Sequence, residues 1–301
     1  ITQWGVQSGP KWSPDGRKIA FVSTRTDHSF IMIYDVASRT VKYMLPSVDF
    51  DTSPLWTADS KSVVFVRRPG LAFGQQAQQG GGGVGVPNGP AFQPGAETGR
   101  GGRGRGNAGA QDTQAGRGGT DQPAPRVANI PGLAQAAFRG GYNLSVWKAD
   151  VATGDALEVW HNQPNDRLFT NFANLRLAGD HLIVPFNVGG GGRGGRGVQA
   201  AQPGPVDEWE RYYSINLATP NAQPVLLTTT DGLIEDQTSV ALSADGRTLY
   251  YCTNATDIER RHIWAVPVSG GQPRQVTTGE GIETYPAPLA SGKALATLSA
   301  D

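Results

Sequence analysis

Short apolar segments separated by turn-forming residues recur along the whole chain. Five of them share one pattern: a turn rich in Asp, Gly or Ser, a basic or polar residue, and then an apolar strand. They are SPDGRKIAFV from Ser13, TADSKSVVFV from Thr57, LAGDHLIVPF from Leu177, SADGRTLYYC from Ser243 and ASGKALATLS from Ala290. A short apolar segment precedes each turn, and these turn residues tolerate the backbone angles of a tight hairpin. Each segment therefore predicts a two-stranded hairpin.

A second pair of strands follows in four of these units. The third strands read FIMIYDVAS from Phe30, LSVWKADVATG from Leu144, RYYSINLAT from Arg211 and HIWAVPVSGG from His262. The fourth strands begin at Val41, Ala156, Pro224 and Pro273. A four-strand unit that recurs about every 44–49 residues, once insertions are removed, is typical of a β-propeller blade.

The pattern therefore predicts an all-β fold. We expect a β-propeller segment over residues 1–301, with four complete four-stranded antiparallel blades and part of a fifth that begins near Tyr285, so that the ring is incomplete. A β-sandwich also has many short strands, but it does not explain one repeated four-strand unit with the same turn chemistry.

Two Gly-rich insertions interrupt the repeats, at about residues 70–140 and 189–205. Their low apolar content predicts flexible segments. Each lies between the second and third strand of its unit, so we expect both to emerge on the same face of the ring. Gly-Arg repeats such as GGGGRGGRG also occur in RNA-binding segments. Few aromatic residues interleave with the arginines here, and Glu97, Asp112 and Asp121 partly offset their charge, which favours a surface loop without nucleic-acid contact.

Charge and cysteine content narrow the function classes. The 26 basic and 26 acidic side chains balance, which does not indicate a nucleic-acid or acidic-surface partner for the chain as a whole. Cys252 is the one cysteine, so a disulfide framework is excluded, and its apolar surroundings predict a buried core residue. No apolar run approaches the roughly 18 residues that span a bilayer, and no signal peptide is visible.

The sequence lacks the motifs of common catalytic and metal sites. No Gly-x-Ser-x-Gly string occurs, and the nearest segment, Ser8-Gly9-Pro10, has the wrong spacing. The Gly runs lack the Lys-Ser/Thr ending of a phosphate loop. The four histidines have no His-Glu-x-x-His or Cys-x-x-Cys partner, and we expect them to be loop or edge residues: His28, His161, His181 and His262.

Aspartates are plentiful in the predicted turns. Asp15, Asp59 and Asp245 occupy the same place in their hairpins. Asp side chains at such positions commonly accept hydrogen bonds from nearby backbone amides. We therefore predict that they cap turns, and we expect no catalytic residue, no cofactor and no metal site in this chain.

The sequences of the predicted blades can be compared with those of known families. WSPDGRKIAFVS with IYDVAS, and SADGRTLYY with IWAVPVSGGQPRQVTTG, resemble blades of two related groups. One is the periplasmic TolB-like propellers, and the other is the N-terminal propeller of the prolyl oligopeptidase family, which includes dipeptidyl-peptidases and acylaminoacyl-peptidases. The run from Gly279 to Pro286, followed by LASGKALATLSAD, resembles late blades of large bacterial peptidases. This run and the long insertions favour the peptidase group.

The peptidase resemblance implies a non-catalytic role for this chain by itself. In that family an α/β-hydrolase domain after the propeller supplies the serine, aspartate and histidine, and the propeller controls the access of peptide substrates. That domain is not in this chain. The dipeptidyl branch also binds the substrate amino terminus with paired glutamates of the propeller. The closest match, Asp207-Glu208-Trp209-Glu210, departs from that motif in spacing and position, so we predict a solvated start of a strand there.

The alternative resemblance implies a different class of function. A TolB-like propeller binds other proteins and has no enzymatic role. The TolB-like resemblance implies a periplasmic protein. We expect a periplasmic or secreted location, and the single cysteine leaves the cytoplasm open. A third possibility, an RNA-associated Gly-Arg protein, depends only on the insertions.

Overall fold

The computed structural model describes residues 5–25, 28–70, 137–164, 166, 168–170, 172–186, 209–234 and 239–300. These residues form eighteen β-strands and no α-helix, which confirms the predicted all-β class. The first eight strands are β1 (Val6–Trp12), β2 (Lys18–Thr24), β3 (Ser29–Asp35), β4 (Thr40–Tyr43), β5 (Phe50–Trp56), β6 (Ser62–Arg68), β7 (Ser145–Asp150) and β8 (Ala156–His161). The others are β9 (Arg176–Ala178), β10 (His181–Phe186), β11 (Arg211–Asn216), β12 (Val225–Leu226), β13 (Val240–Leu242), β14 (Thr248–Thr253), β15 (His262–Pro267), β16 (Arg274–Gln275), β17 (Ile282–Pro288) and β18 (Leu295–Ala300).

Most strands pair antiparallel with the next strand of the chain. Strands β9–β12 form one four-stranded sheet, β13–β16 form another, and β17 and β18 form a two-stranded sheet. Strands β1–β8 form one eight-stranded sheet. We refer to β1–β4, β5–β8, β9–β12 and β13–β16 as units 1, 2, 3 and 4, and to β17–β18 as the final hairpin.

Units 1 and 2 are joined, whereas the sequence predicted two separate sheets. The link is a single parallel pair, Ser29 with Phe50, between β3 and β5. The hydroxyl of Ser29 also donates to the carbonyl oxygen of Asp51 at 2.7 Å, and its amide donates to that of Asp49 at 3.1 Å. The two units meet because β5 begins beside the first residue of β3.

The fourth strands of units 3 and 4 are shorter than expected. Each has two residues, although the sequence predicted strands from Pro224 and Pro273. Proline has no N–H to donate to a neighbouring strand. The pairing therefore begins only after these prolines and involves few residues.

A β-bulge with the same chemistry interrupts three first strands. In β1, β5 and β17 the register shifts between Ser8 and Lys11, Thr52 and Leu55, and Thr284 and Ala287. Inside each shift a residue with positive φ precedes a proline, and these residues are Gly9, Ser53 and Tyr285, with φ of 57°, 55° and 52°. Residues other than glycine rarely adopt positive φ, so the combination of a bulge, a positive-φ residue and a following proline is a specific feature that these three strands share. The final hairpin therefore begins in the same way as units 1 and 2.

The apolar core lies between consecutive units. In unit 2, Val63 and Phe65 belong to a cluster shared with unit 1, whereas Val64 and Val66 belong to a cluster shared with unit 3. A third cluster joins units 3 and 4. Successive side chains of a strand point to opposite faces of the sheet. Units 2 and 3 therefore bury both faces, each against a different neighbour, and every large side chain so buried contributes roughly 1.5–3 kcal/mol.

Candidate functional site

Buried polar residues concentrate at one end of the sheets, where the second strand of a unit ends and the third begins. The strand pairs at this end are Thr24 with Ser29, Arg67 with Ser145, Phe186 with Arg211, and Thr253 with His262. All of these residues except Phe186 are polar and buried. We call this end the polar rim. A buried polar group that lacks a hydrogen-bond partner destabilises the folded protein. The contacts of these residues therefore indicate what role the polar rim can have.

A buried ion pair holds the rim of unit 2. Nε of Arg67 donates to Oδ1 of Asp51 at 2.7 Å, and Nη2 donates to Oδ2 at 2.9 Å. The same Nη2 donates to the carbonyl oxygen of Leu45 at 2.6 Å, and the guanidinium lies 4.8 Å from the ring centre of Trp147. Asp51 is 0% exposed, and burial raises its pKa to about 7, although the hydrogen bonds and charge of Arg67 act in the opposite direction. This pair is a structural bridge between β5 and β6.

A second arginine holds the rim of unit 3. Nη1 of Arg211 donates to the carbonyl oxygen of Thr228 at 2.9 Å, and Nη2 donates to Oδ1 of Asp231 at 2.6 Å. The hydroxyl of Thr228 accepts a hydrogen bond from the amide of Tyr212 at 3.0 Å. Arg211 is buried, whereas the Asp231 side chain is 69% exposed. These contacts fasten the segment after β12 to the start of β11.

The third contact joins unit 4 to the final hairpin. Nδ1 of His262 lies 2.7 Å from Oε2 of Glu283, and the two side chains are 5% and 15% exposed. The amide of Glu283 donates to the carbonyl oxygen of Arg261 at 2.8 Å. The expectation that His262 is a loop or edge residue is therefore wrong. The sequence pattern missed this pair because its members lie in different sheets and no short motif contains both.

The other three histidines do not converge with His262. His28 lies in the loop before β3 and contacts the ring of Phe30, and His161 ends the edge strand β8 and stacks on Tyr142 at 4.1 Å. These two fit the predicted loop and edge positions. His181 begins β10, which pairs with strands on both sides, so the edge prediction is wrong for it.

The three predicted turn aspartates share one hydrogen-bond pattern at the opposite end of the sheets. A Ser or Thr hydroxyl donates to each carboxylate at 2.6–2.7 Å, and a backbone amide donates to it at 3.0–3.1 Å. Asp15 accepts from the Ser13 hydroxyl and the Arg17 amide. Asp59 accepts from the Thr57 hydroxyl and the Lys61 amide. Asp245 accepts from the Ser243 hydroxyl and the Arg247 amide. These hydrogen bonds lower the pKa of all three carboxyl groups. The predicted role in turns is confirmed.

Cys252 is a buried core residue, as predicted, with 3% exposure. Its Sγ contacts the carbonyl oxygen of Glu283 at 3.3 Å. Trp209 and Glu210 lie half-buried directly before β11, so the strand start is less solvated than expected, and residues 207–208 lie outside the described ranges.

The strands that flank both insertions end at the polar rim. Strand β6 ends at Arg68 and β7 begins at Ser145, while β10 ends at Phe186 and β11 begins at Arg211. Flexibility is predicted for about residues 70–140 and 189–205, of which 71–136 and 189–205 lie outside the described residues. Within the described ranges, no three His, Cys, Asp or Glu side chains are grouped to hold a metal ion. That part of the chain also contains no helix that is long and apolar enough to cross a membrane.

Comparisons with known proteins give structural neighbours only. No family model matches the sequence, and no curated protein matches it. One similar structure is TolB from Acinetobacter baumannii, with 14% identity over 94% of this chain and 47% of that chain, at a TM-score of 0.41. Another is a putative dipeptidyl aminopeptidase IV from Bacteroides ovatus, with 12% identity over 97% of this chain and 36% of that chain, at a TM-score of 0.48.

A third neighbour is the β-propeller domain of the Trilobed protease from Pyrococcus furiosus. It shares 11% identity over 93% of this chain and 74% of that chain, at a TM-score of 0.34. This chain spans less than half the length of the TolB and aminopeptidase chains. All three TM-scores lie below 0.5, so these likenesses carry no argument about function.

Proposed function

We propose that this chain is the propeller segment of a prolyl-oligopeptidase-like serine peptidase and that it controls the access of peptides to a hydrolase domain. The observation that carries the propeller is the burial of both faces of units 2 and 3, each against the next unit in chain order. A two-sheet sandwich buries one face of each sheet and leaves the other exposed. Consecutive face-to-face packing of four-stranded units is the arrangement of propeller blades.

Contacts between first strands support a common axis. Nε1 of Trp56 in β5 donates to the carbonyl oxygen of Lys11 in β1 at 2.9 Å. Nη2 of Arg176 in β9 donates to that of Val240 in β13 at 3.2 Å. In the proposed arrangement β1, β5, β9, β13 and β17 are the innermost strands, units 1 to 4 are complete blades, and the final hairpin starts a fifth blade of an incomplete ring.

The polar rim suits a rigid entrance better than a catalytic site. Arg67, Arg211 and His262 of this rim already contact Asp51, Asp231 and Glu283, so these side chains serve the fold. Both insertions begin and end at this rim, where they would narrow the opening for large substrates. An α/β-hydrolase domain would supply the activated serine, and peptides would be the substrates, in a periplasmic or secreted protein.

Labelling with a fluorophosphonate tests the proposed class. The isolated chain should not react, because its sequence contains no Gly-x-Ser-x-Gly motif that would activate a serine. In cells that make this protein, the natural polypeptide that contains these units should be labelled stoichiometrically. A natural polypeptide that does not label would overturn the peptidase assignment and would favour a protein-binding role of the TolB type.

The gating role needs its own experiment. Replacing residues 189–205 with a short Gly-Ser link in the natural polypeptide should raise kcat/KM for long peptides more than for a dipeptide substrate. The matched control is a Gly-Ser replacement of the turn residues 290–292, at the other end of the sheets. Equal effects of both replacements on long and short substrates would contradict gating at the polar rim.

A further inference from the structure

Three buried polar side chains of units 3 and 4 have no hydrogen-bond partner within the described residues. They are the hydroxyls of Ser214 and Tyr251 and the indole Nε1–H of Trp264. The three residues are only 1%, 2% and 7% exposed, so these groups are shielded from bulk solvent. In native proteins about nine-tenths or more of the buried polar groups bond to protein or to ordered water. These three groups therefore indicate a partner other than the neighbouring protein groups.

All three side chains face the same interface. Tyr251 of β14 and Trp264 of β15 pair directly, and both belong to the apolar cluster that joins units 3 and 4. Ser214 of β11 pairs directly with Ile183 and lies two residues after Tyr212, and both of these residues belong to the same cluster. Directly paired residues, and residues two apart in a strand, lie on one face of the sheet. Ser214 therefore projects from unit 3 towards unit 4, and the two aromatic side chains project from unit 4 towards unit 3.

The three side chains also lie at neighbouring levels of the two units. The residue before the second strand is Asp180 in unit 3 and Arg247 in unit 4. In both units its carbonyl oxygen accepts a hydrogen bond from the amide of the first residue after the third strand, at 2.8 and 2.9 Å. Ile183 is the third residue after this acceptor in unit 3, and Tyr251 is the fourth in unit 4. Ser214, opposite Ile183, is therefore one residue away from the level of Tyr251 in the facing unit.

The chemistry of these groups suits a neutral ligand that both donates and accepts. The indole of Trp264 only donates, whereas the two hydroxyls donate and accept. Burial raises the pKa of Tyr251, so its hydroxyl keeps its proton. A water molecule can accept from the indole and from one hydroxyl and can donate to the other hydroxyl. Neutral groups enclosed in an apolar cluster therefore favour water over an ion, whose burial would cost far more free energy.

We infer that Ser214, Tyr251 and Trp264 form a binding site for buried water between units 3 and 4. An internal water typically makes about three hydrogen bonds, which is the number that these groups offer. A bridging water replaces direct hydrogen bonds between polar groups that are too far apart to bond each other. An enclosed water leaves only when the two packed faces separate, so it also holds the two units together. The inference rests on the packing of units 3 and 4 and does not depend on the peptidase assignment.

A high-resolution crystal structure of the chain tests the site directly. It should show an ordered water oxygen about 2.7–3.2 Å from Nε1 of Trp264 and from at least one of the two hydroxyls. The matched control is Trp160, which is also buried, because its Nε1 already donates to the carbonyl oxygen of Ala222 at 3.0 Å and should have no water. Direct hydrogen bonds among the three groups, or no water at the Trp264 indole, would overturn the inference.

Removal of one hydroxyl distinguishes a hydrated site from a dry one by the sign of the effect. If water binds, Y251F deletes one of its partners and the urea midpoint of unfolding should fall. If the site is dry, Y251F removes a buried polar group that has no partner, and the midpoint should rise. The matched control is Y250F, because Tyr250 is the preceding residue and lies on the opposite face of β14. Its midpoint should equal that of the parent chain.

A double variant tests whether the two units share one site. S214A should lower the midpoint as Y251F does, and Y251F/S214A should lower it by less than the sum of the single effects, because both changes act on the same bound water. The two residues lie in different units, so this coupling requires a contact across the interface. A midpoint that rises in Y251F, or single effects that simply add, would overturn the shared water site.

Discussion

Glu283 of β17 and His262 of β15 form a buried contact of 2.7 Å between Oε2 and Nδ1. The backbone of Glu283 adds two further contacts to unit 4, from its amide to the carbonyl oxygen of Arg261 and from its carbonyl oxygen to Sγ of Cys252. One residue therefore joins the final hairpin to the rest of the fold through its side chain and its backbone.

Truncation of Glu283 should loosen the final hairpin. E283A removes the partner of the buried His262 side chain, and leaving such a group unsatisfied costs about 1–3 kcal/mol of unfolding free energy. Amides of β17 and β18 should then exchange faster with deuterium than those of β13–β16. E283Q keeps an acceptor oxygen and should lose less unfolding free energy. E280A, at an exposed neighbouring position, should exchange like the parent chain. Equal exchange in E283A and E280A would show that the contact does not hold the hairpin.

The buried ion pair of unit 2 should contribute more to the unfolding free energy than the partly exposed ion pair of unit 3. D51N turns one of the two accepting oxygens of Asp51 into an NH2 group, so one N–H of the buried Arg67 guanidinium loses its acceptor, which typically costs about 1–3 kcal/mol. D231N removes an acid that is 69% exposed, where a pair contributes about 0–1 kcal/mol. Urea denaturation of both variants measures the difference. A smaller loss in D51N than in D231N would contradict the assigned role.

The burial of Asp51 also predicts that the unfolding free energy depends on pH. Burial raises the pKa of folded Asp51 to about 7, above its ordinary value of 3.8. Between these values the folded chain binds more protons than the unfolded chain, so this group's contribution to stability is present below about pH 4 and is lost as the pH rises towards 7. The unfolding free energy of the parent chain minus that of D51N should therefore decrease over this range. An increase would show that the arginine outweighs burial.

The turn aspartates should have the opposite pH dependence. Hydrogen bonds lower the pKa of Asp15, Asp59 and Asp245, and they lower that of Asp35, with help from Lys18, to about 2. Their contribution is present above the unfolded pKa of about 4 and is lost as the pH falls. A triple variant, D15N/D59N/D245N, should lose less thermal stability between pH 5 and pH 2.5 than the parent chain does. Parallel melting curves over that range would refute this expectation.

Shortening either insertion should leave the fold intact. The strands beside each insertion pair directly at the polar rim, Arg67 with Ser145 and Phe186 with Arg211, so a short link can connect them. Loop-closure entropy changes slowly with length, by about 0.6 kcal/mol for each doubling. Replacement with a Gly-Ser link should keep the thermal midpoint within a few degrees by calorimetry. Unfolding of either variant would show that the insertion is part of the core.

The local features of this protein depend on residues that are close together in the sequence. Each turn aspartate accepts hydrogen bonds from residues two positions away, and such contacts form wherever the short motif occurs. The apolar segments likewise predict strands, because their alternation depends only on the two-residue period of the backbone. For this reason the sequence alone determined the all-β class, the turns and the burial of Cys252.

Only the tertiary structure decided which distant side chains meet. Val63 and Val64 are both apolar, and packing determines that they face different neighbouring units. The burial of His262 against Glu283 depends on how unit 4 contacts the final hairpin, which no local pattern specifies. The pairing of Asp51 with Arg67 likewise depends on the register between β5 and β6. Burial and charge pairing are properties of the packed sheets, and a sequence read residue by residue does not contain them.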